Sequence, residues 1–255
     1  MSWRTALGSL STSLAFLTRI PLPSFLFRDH VAASSAAWAF PLVGLLIGVV
    51  LSVVLSVLTV LGLHSVLVAV LVLGASILLT GALHEDGLGD VADSLGGGTR
   101  ERKLEIMKDS RLGTFGVLAL ILMAAIKLAF FAALAEGFNL CLVAAGVIGA
   151  SVVSRALMTL VWSVLPAANT SGLGAERPSL FIGVLALGVG CAVLVFLVPL
   201  AGTVVLVGTL WAMLAAAAFA LFARWQYGGV TGDVCGATQM LTELAFYGAA
   251  LSLIS

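Results

Sequence analysis

Residues 81–116, GALHEDGLGDVADSLGGGTRERKLEIMKDSRLGTFG, contain most of the side chains of this sequence that could carry out chemistry. Seven of the twelve acidic residues and five of the twelve basic residues of the chain lie in this one segment. The acidic residues are Glu85, Asp86, Asp90, Asp93, Glu101, Glu105 and Asp109, and the basic residues are Arg100, Arg102, Lys103, Lys108 and Arg111. Half of the charge of an otherwise apolar chain is thus gathered in one place.

Three aspartates of this segment share one face of a predicted helix. Asp86, Asp90 and Asp93 are spaced i, i+4, i+7, which places them within about 60° of one another at 100° per residue. Carboxylates at this spacing repel, and a divalent cation with oxygen ligands offsets the repulsion. Glu85, at the edge of the face, is a further ligand or a base. We therefore predict a Mg²⁺ site made of Glu85, Asp86, Asp90 and Asp93. The alternative is a solvated helix end, neutralised by nearby bases.

A second short helix with basic residues is predicted behind the three glycines at 96–98. Thr99 is a plausible N-cap for this helix, RERKLEIMKDS. The bases Arg100, Arg102, Lys103 and Arg111 are placed to receive phosphate oxygens, and an arginine can do so with two hydrogen bonds. An acidic metal site beside such bases indicates phosphoryl or pyrophosphate chemistry.

The composition indicates which class of protein must position these groups. The chain has 255 residues, of which 61% are hydrophobic and only 9% charged, and its mean hydropathy is +1.20. Soluble domains have about 25% charged residues, so the sequence predicts an all-α, polytopic transmembrane helix bundle with short cytoplasmic helices. The net charge is zero, which argues against a nucleic-acid partner. We expect a single integral membrane domain over residues 1–255, with its active-site loop at about 84–112.

Apolar stretches of roughly 20 residues predict about seven membrane spans. They lie at about 36–62, 64–83, 113–135, 139–165, 179–199, 202–223 and 234–254. With this count Arg4, Arg19, Arg28, Arg177, Arg224 and the bases of the segment 81–116 all fall on one side, which the positive-inside bias assigns to the cytoplasm. Residues 3–22 either cross the membrane or lie in its interface.

Polar residues within the apolar stretches are candidates for the same site. Arg155 lies inside a predicted span, and facing inward it could reach a substrate phosphate or an acidic partner. Asp233 begins the last helix as an N-cap or as a site residue. Gln239 continues along that helix toward the membrane interior, where polar groups need partners. We expect this helix to pack against the acidic helix and complete a pocket.

These segments together resemble the cobalamin synthase family, adenosylcobinamide-GDP ribazoletransferase. The resemblance covers most of the chain. It is carried by LTRIPLP at 17–23, FPLVGLLIG at 40–48, GALHEDGLGDVADSLGGG at 81–98, RERKLEIMKDSRLGTFGVLAL at 100–120, SRALM at 154–158 and GGVTGDVCGATQMLTEL at 228–244. One departure is Ser94, which stands where the family pattern has glycine.

The resemblance implies an integral membrane enzyme of bacteria or archaea that completes vitamin B12 assembly in the plasma or inner membrane, in contact with lipid. Its substrates would be adenosylcobinamide-GDP and alpha-ribazole, or the 5′-phosphate of ribazole, with Mg²⁺ as cofactor and GMP as product. The number of metal ions and any homo-oligomer are left open.

The implied mechanism assigns roles to the candidate residues. Asp86 and Asp90, assisted by Asp93 or Glu85, would hold Mg²⁺ at the pyrophosphate, and Asp109 or Glu85 would accept the hydroxyl proton. Substrate would be bound by Arg100, Arg102, Arg111, Arg155, Asp233 and Gln239.

Three other classes of membrane protein place acids in similar ways. CDP-alcohol phosphotransferases have DGxxAR, whereas here Ala92 is followed by Asp93 rather than arginine. Membrane prenyltransferases have two aspartate-rich motifs, whereas Asp233 stands alone. An ion-coupled transporter would place its carboxylates near the bilayer midplane.

Overall fold

The computed structural model of the protein describes residues 3–23, 31–109, 111–168 and 172–254, and within these ranges it is helical without a β-strand. Its helices are α1 (Trp3–Leu17), α2 (Ala33–Ala36), α3 (Phe40–Val60), α4 (Ser65–Thr80), α5 (Leu83–Ser94), α6 (Arg100–Ile106), α7 (Thr114–Glu136), α8 (Leu140–Val143), α9 (Gly149–Val164), α10 (Leu180–Tyr227) and α11 (Gly232–Ile254). A 3₁₀ turn leads from α2 into α3, and a π turn joins α8 to α9. The all-α prediction is confirmed. Arg28, used to assign sidedness, lies outside the described residues.

Four helical stretches are long and apolar enough to cross a membrane, and a fifth crossing results if the bent pair of α4 and α5 is counted. The four are Ala33–Val60, Thr114–Glu136, Leu140–Val164 and Leu180–Tyr227. The predicted number of seven spans is therefore not confirmed. The last predicted span, α11, does not qualify within the described chain, because it carries polar residues along its length.

The 48-residue helix α10 is interrupted where the sequence PLAG predicts a connection between two spans. Ala201 has non-helical backbone angles, and Pro199 just before it cannot donate a helical hydrogen bond. Cys191 and Met213 would lie about 33 Å apart in a straight helix. Both nevertheless line one cavity of about 320 Å³, so the two halves of α10 fold back on each other.

Helix α1 has 15 residues, fewer than the roughly 20 that a crossing requires. It buries small and polar residues such as Ser9 and Ser13 against the protein, while Trp3 is 69% exposed. Ser13 donates a hydrogen bond to the carbonyl of Ala36, which ties α1 to the end of α2. These features favour the interfacial alternative for this segment.

A sharp bend sets the direction of the acidic helix α5. The axes of α4 and α5 differ by 91°, so α5 lies across the end of α4 instead of extending it. Gly81 and Ala82 both have positive φ at this bend, which is unusual for alanine and strains the backbone. The bend therefore turns the carboxylates out of the direction of the span.

Close contact between glycines holds α5 against α11. A Cβ atom at Gly87 would lie 2.9 Å from the carbonyl oxygen of Asp233 and 3.2 Å from Cα of Gly236. No side chain fits between these backbones, so the two helices approach closely, as small residues permit in membrane proteins. This contact confirms that the last helix packs against the acidic helix.

Candidate functional site

A cavity of about 230 Å³ opens where α5 meets α11. Asp86 from α5 and Asp233 from the first turn of α11 both line it. Thr231, rather than Asp233, caps α11, since its hydroxyl accepts a hydrogen bond of 3.1 Å from the amide of Val234. The carboxylate of Asp233 is thus not used as the N-cap, and it lies beside the carboxylates of α5.

Asp90 shows how closely the acidic groups are gathered. Partial burial raises the pKa of Asp90 to about 7, and the charges of neighbouring carboxylates add to the effect. In order of influence these neighbours are Asp86, Asp233 and Asp93. The pKa of Asp233 is raised as well, mainly by its burial. Carboxylates from both α5 and α11 therefore share one negative potential.

Among the described residues, no base forms an ion pair with the acidic mouth, which we define as Asp86, Asp90 and Asp233. Over the described ranges, none of the ion pairs within 4.0 Å involves any of the three. Like charges held together cost free energy unless an opposite charge compensates them. The acidic mouth is therefore a site at which a cation would be stabilised.

Asp93 is directed away from the mouth and caps α7. Its two carboxylate oxygens accept hydrogen bonds from the amides of Gly113, at 2.6 Å, and Gly116, at 2.8 Å. A Cβ atom at either glycine would collide with this carboxylate. The negative charge also complements the free N–H groups at the start of the helix. The spacing i, i+3 placed Asp93 near Asp90 correctly, but the packing of α7 gives Asp93 these other partners.

Glu85 lies on the opposite side of α5, within the protein. Its carboxylate is 3.8 Å from Nζ of Lys127, which in turn lies 2.7 Å from Glu243. Arg155 completes the group at 3.8 Å from Glu243. All four residues are at most 6% exposed. We call these four residues the buried ion network; Glu85 belongs to it and not to the acidic mouth.

Arg155 and Gln239 are likewise directed at partners inside the bundle. Arg155 donates to the carbonyl of Ser151 at 2.9 Å, and Gln239 donates to the hydroxyl of Ser154 at 3.1 Å. Neither residue is among those that line the cavity. Their predicted roles in substrate binding stay predictions, while their observed contacts connect α9 to α11.

The predicted phosphate-binding bases lie on α6 and the loop after it. Thr99 caps α6 as predicted, because its hydroxyl accepts from the amide of Arg102 at 3.2 Å. Arg102 pairs with Glu105 at 3.0 Å, and both side chains are about two-thirds exposed. The guanidinium of Arg100 lies against Gly228 at the end of α10. Arg100, Arg102 and Glu105 are not among the residues that line the cavity.

Asp109 and Arg111 form an exposed pair of their own. Arg111 donates to both carboxylate oxygens of Asp109, with the shortest bond at 2.7 Å. These hydrogen bonds lower the pKa of Asp109 to about 2. A carboxylate with so low a pKa is a weak proton acceptor, so this geometry does not favour Asp109 as the general base.

The predicted Mg²⁺ ligands are therefore only partly brought together. In the part of the chain that is described, no three acid, histidine or cysteine side chains are close enough to enclose a metal ion. Asp86 and Asp90 remain on one face of α5, and Mg²⁺ is commonly held by one or two carboxylates while water and substrate phosphates complete its coordination. The donor set fits such an open site, and it does not fit a four-carboxylate cage.

Sequence reasoning missed the other wall of the cavity. It consists of Phe16, Phe40 and Trp162, together with His84 at the start of α5. The rings of Phe16 and Phe40 stack with centroids 5.8 Å apart, and those of Phe40 and Trp162 are 6.3 Å apart. These residues come from four helices, and no spacing in the sequence relates them. Among the quoted segments, FPLVGLLIG contains Phe40 and GALHEDGLGDVADSLGGG contains His84.

Comparison with known proteins identifies the family. The family described as cobalamin-5-phosphate synthase matches residues 9–251. A protein of Allorhizobium ampelinum named adenosylcobinamide-GDP ribazoletransferase is 40% identical, with 96% of each chain covered. Proteins of the same name from Sinorhizobium sp. and Sinorhizobium medicae are each 41% identical, with 94% of each chain covered. No solved structure matches. The chain belongs to the cobalamin-5-phosphate synthase family.

Proposed function

We propose that this membrane protein joins alpha-ribazole, or its 5′-phosphate, to adenosylcobinamide-GDP and releases GMP. The family and the shared name of the relatives support the reaction. The structural observation that carries the proposal is the acidic mouth. Within the described residues its three carboxylates have no ion pair within 4.0 Å, and two of them, Asp86 and Asp233, line a cavity of about 230 Å³. Family membership argues against the CDP-alcohol phosphotransferase, prenyltransferase and transporter alternatives.

In the proposed reaction a ribazole hydroxyl oxygen attacks the phosphorus nearest the cobinamide. The bond from that phosphorus to the oxygen of the GMP phosphate breaks, and GMP leaves with the electron pair. The hydroxyl proton passes to a base. Asp233 suits this role, because it lines the cavity and its raised pKa makes its carboxylate a better proton acceptor than an ordinary aspartate.

Asp86 and Asp90 would hold Mg²⁺, which when bound would neutralise charge on the pyrophosphate. The arginines of α6 and its loop would add positive charge from the exposed side. Within the described residues, Arg102 and Arg111 are paired only with exposed acids, and exposed ion pairs contribute little to stability. A substrate phosphate could therefore replace these acids at little cost.

We also propose that the site faces the cytoplasm in a plasma or inner membrane. The supporting observation is the concentration of Arg100, Arg102 and Lys103 on α6, which follows the acidic helix, because the positive-inside bias favours the cytoplasmic side for such bases. The lipid contact is supported by apolar side chains that are exposed along α4, α7 and α10, such as Leu78, Leu122 and Phe196.

The experiment uses the purified full chain in detergent or liposomes with adenosylcobinamide-GDP, alpha-ribazole and Mg²⁺. Chromatography should detect GMP release by the wild type and its loss in Asp86→Ala and Asp90→Ala. Glu101→Gln, an exposed acid on α6, is the matched control and should retain activity. Absence of GMP release by the wild type, or full activity in both alanine variants, would refute the proposal. A parallel assay with ribazole 5′-phosphate determines which acceptor reacts faster.

Metal binding has a separate readout. Mg²⁺ should raise the midpoint of thermal unfolding of the wild type, because a ligand of the folded state alone stabilises it by mass action. The same titration of Asp86→Asn should give a smaller rise. Equal rises in the two proteins would argue against Asp86 as a ligand.

A further inference from the structure

The wall of the cavity that differs most from the acidic mouth is aromatic and almost free of charge. Phe16, Phe40 and Trp162 line it, and their ring planes are nearly parallel, at 7° for the first pair and 18° for the second. Phe40 and Trp162 are 1% and 0% exposed. Such a wall provides apolar area for another planar ring rather than for a phosphate.

Two polar atoms on this side of the cavity lack hydrogen-bond partners within the described chain. They are Nε2 of His84 and Nε1 of Trp162. His84 is 2% exposed and Trp162 fully buried, and both side chains line the cavity. Buried polar groups in native proteins are nearly always paired, so two unpaired atoms around one cavity indicate that a ligand supplies their partners.

We propose that this aromatic side of the cavity is the acceptor nucleoside subsite, which binds the base and ribose of ribazole. The inference rests on the proposed function and adds which substrate occupies the cavity. The bicyclic base packs against the aromatic wall, since any base has a π face that can stack on an aromatic side chain. Trp162 N–H and His84 Nε2 pair with polar atoms of the nucleoside.

The other substrate fits this side poorly. The guanine base of GDP carries acceptors at N7 and O6 and a donor at N2, which require polar partners. The residues beside the aromatic wall are instead apolar, namely Leu83, Met158 and Leu173. A cavity of about 230 Å³ is also below the usual range for drug-sized ligands, so a corrinoid ring cannot enter it. A benzimidazole base, with its mainly apolar edge, matches both the lining and the size.

This placement also orients the acceptor for reaction. Asp86 and Asp233 line the same cavity as the aromatic wall. A nucleoside with its base on the aromatic side therefore directs its ribose hydroxyls toward the acidic mouth, where the pyrophosphate would lie. The corrinoid part of the donor substrate would remain outside the cavity.

The test compares Trp162→Phe with Trp211→Phe in the full chain. Phenylalanine keeps a ring at the wall but removes the N–H donor, and Trp211 is a matched control because it is 55% exposed on α10. Trp162→Phe should raise both the KM for alpha-ribazole and the Kd for alpha-ribazole alone about tenfold. Its KM for adenosylcobinamide-GDP should stay within about twofold of the wild type, and Trp211→Phe should change neither.

A second variant, His84→Asn, keeps a side chain that can form hydrogen bonds but moves the polar atoms away from the position of Nε2. It should raise both the KM and the Kd for alpha-ribazole. Equilibrium dialysis with alpha-ribazole and no second substrate measures binding directly, and thermal unfolding verifies that each variant is folded. Unchanged ribazole constants in both folded variants, or a rise confined to adenosylcobinamide-GDP, would overturn the subsite. Lack of GMP release by a wild type that binds alpha-ribazole would refute the proposed function and leave the subsite supported.

Discussion

Two neighbouring residues of α5, Glu85 and Asp86, enter opposite electrostatic environments. Glu85 joins the buried ion network, in which two acids face two bases and the formal charge is zero. Asp86 joins the acidic mouth, in which three carboxylates have no ion pair within 4.0 Å over the described ranges. The charge of the first group is balanced without a ligand, and that of the second is not.

The difference shows which of the clustered charges serve structure and which serve chemistry. Charges inside a membrane protein are costly unless paired, so the buried ion network is compatible with a role in holding α5, α7, α9 and α11 together. Carboxylates that have no neutralising base at a cavity are instead stabilised by a cation from outside the protein. Variants on the two sides of α5 should therefore fail in different ways.

The largest expected effect is the loss of stability when the buried ion network loses a base. Lys127→Met leaves Glu85 and Glu243 buried with Arg155 alone, and removing one partner of a buried pair costs about 3–5 kcal/mol. The free energy of unfolding in detergent should fall accordingly. Lys108→Met, which removes an exposed lysine of the same segment, is the control and should unfold like the wild type.

A double variant refines this first comparison. Lys127→Met combined with Glu243→Gln removes one charge of each sign, so it should be more stable than the sum of the two single variants predicts. Simple additivity would show that the two side chains, 2.7 Å apart, are not energetically coupled.

The next effect is on activity at the acidic mouth. Asp86→Asn should lower the rate of GMP release about 100- to 1,000-fold, the usual consequence of losing a group that stabilises transition-state charge. Its thermal stability should be equal to or above that of the wild type without Mg²⁺, because one repulsive charge is gone. A variant that loses stability in proportion to its activity would place Asp86 among the structural charges instead.

Asp93 should behave as a structural residue despite its position near Asp90. Asp93→Asn retains one carbonyl oxygen for two backbone amides, so it should lose about 1–2 kcal/mol of the free energy of unfolding. Chemical denaturation measures this change, with Glu101→Gln as the control for loss of one negative charge. A large loss of GMP release in a fully stable Asp93→Asn protein would contradict the capping role.

The smallest effect is a pH dependence that arises from Asp90. Its pKa is raised to about 7 in the folded state, so the folded protein favours the protonated carboxyl. The corresponding stability is full below about pH 4 and is lost as the pH rises through about 7. The midpoint of thermal unfolding without metal should therefore decrease between about pH 4 and pH 7. Asp90→Asn should remove this component, and an unchanged profile in that variant would assign it to another group.

Much of this division was readable from residue spacing. A rotation of 100° per residue places Asp86 and Asp90 together, as the structure shows. It also left Glu85 at the edge of this face, where we predicted a metal ligand, whereas the structure places Glu85 beside Lys127. The cap at Thr99 and the break at PLAG also followed from local chemistry. Local rules succeed here because they depend only on residues within one or two helical turns.

The sequence by itself determined an all-helical membrane protein, its family and the relative angles of the acids on α5. Only the tertiary structure decided which of those acids faces Lys127, which faces α7 and which faces the cavity. It also brought Phe16, Phe40 and Trp162 to one wall from helices far apart in the chain. Helical periodicity fixes side chains relative to one another, but the orientation of the helix is set by contacts such as Gly87 against Gly236, and these depend on the whole packed bundle.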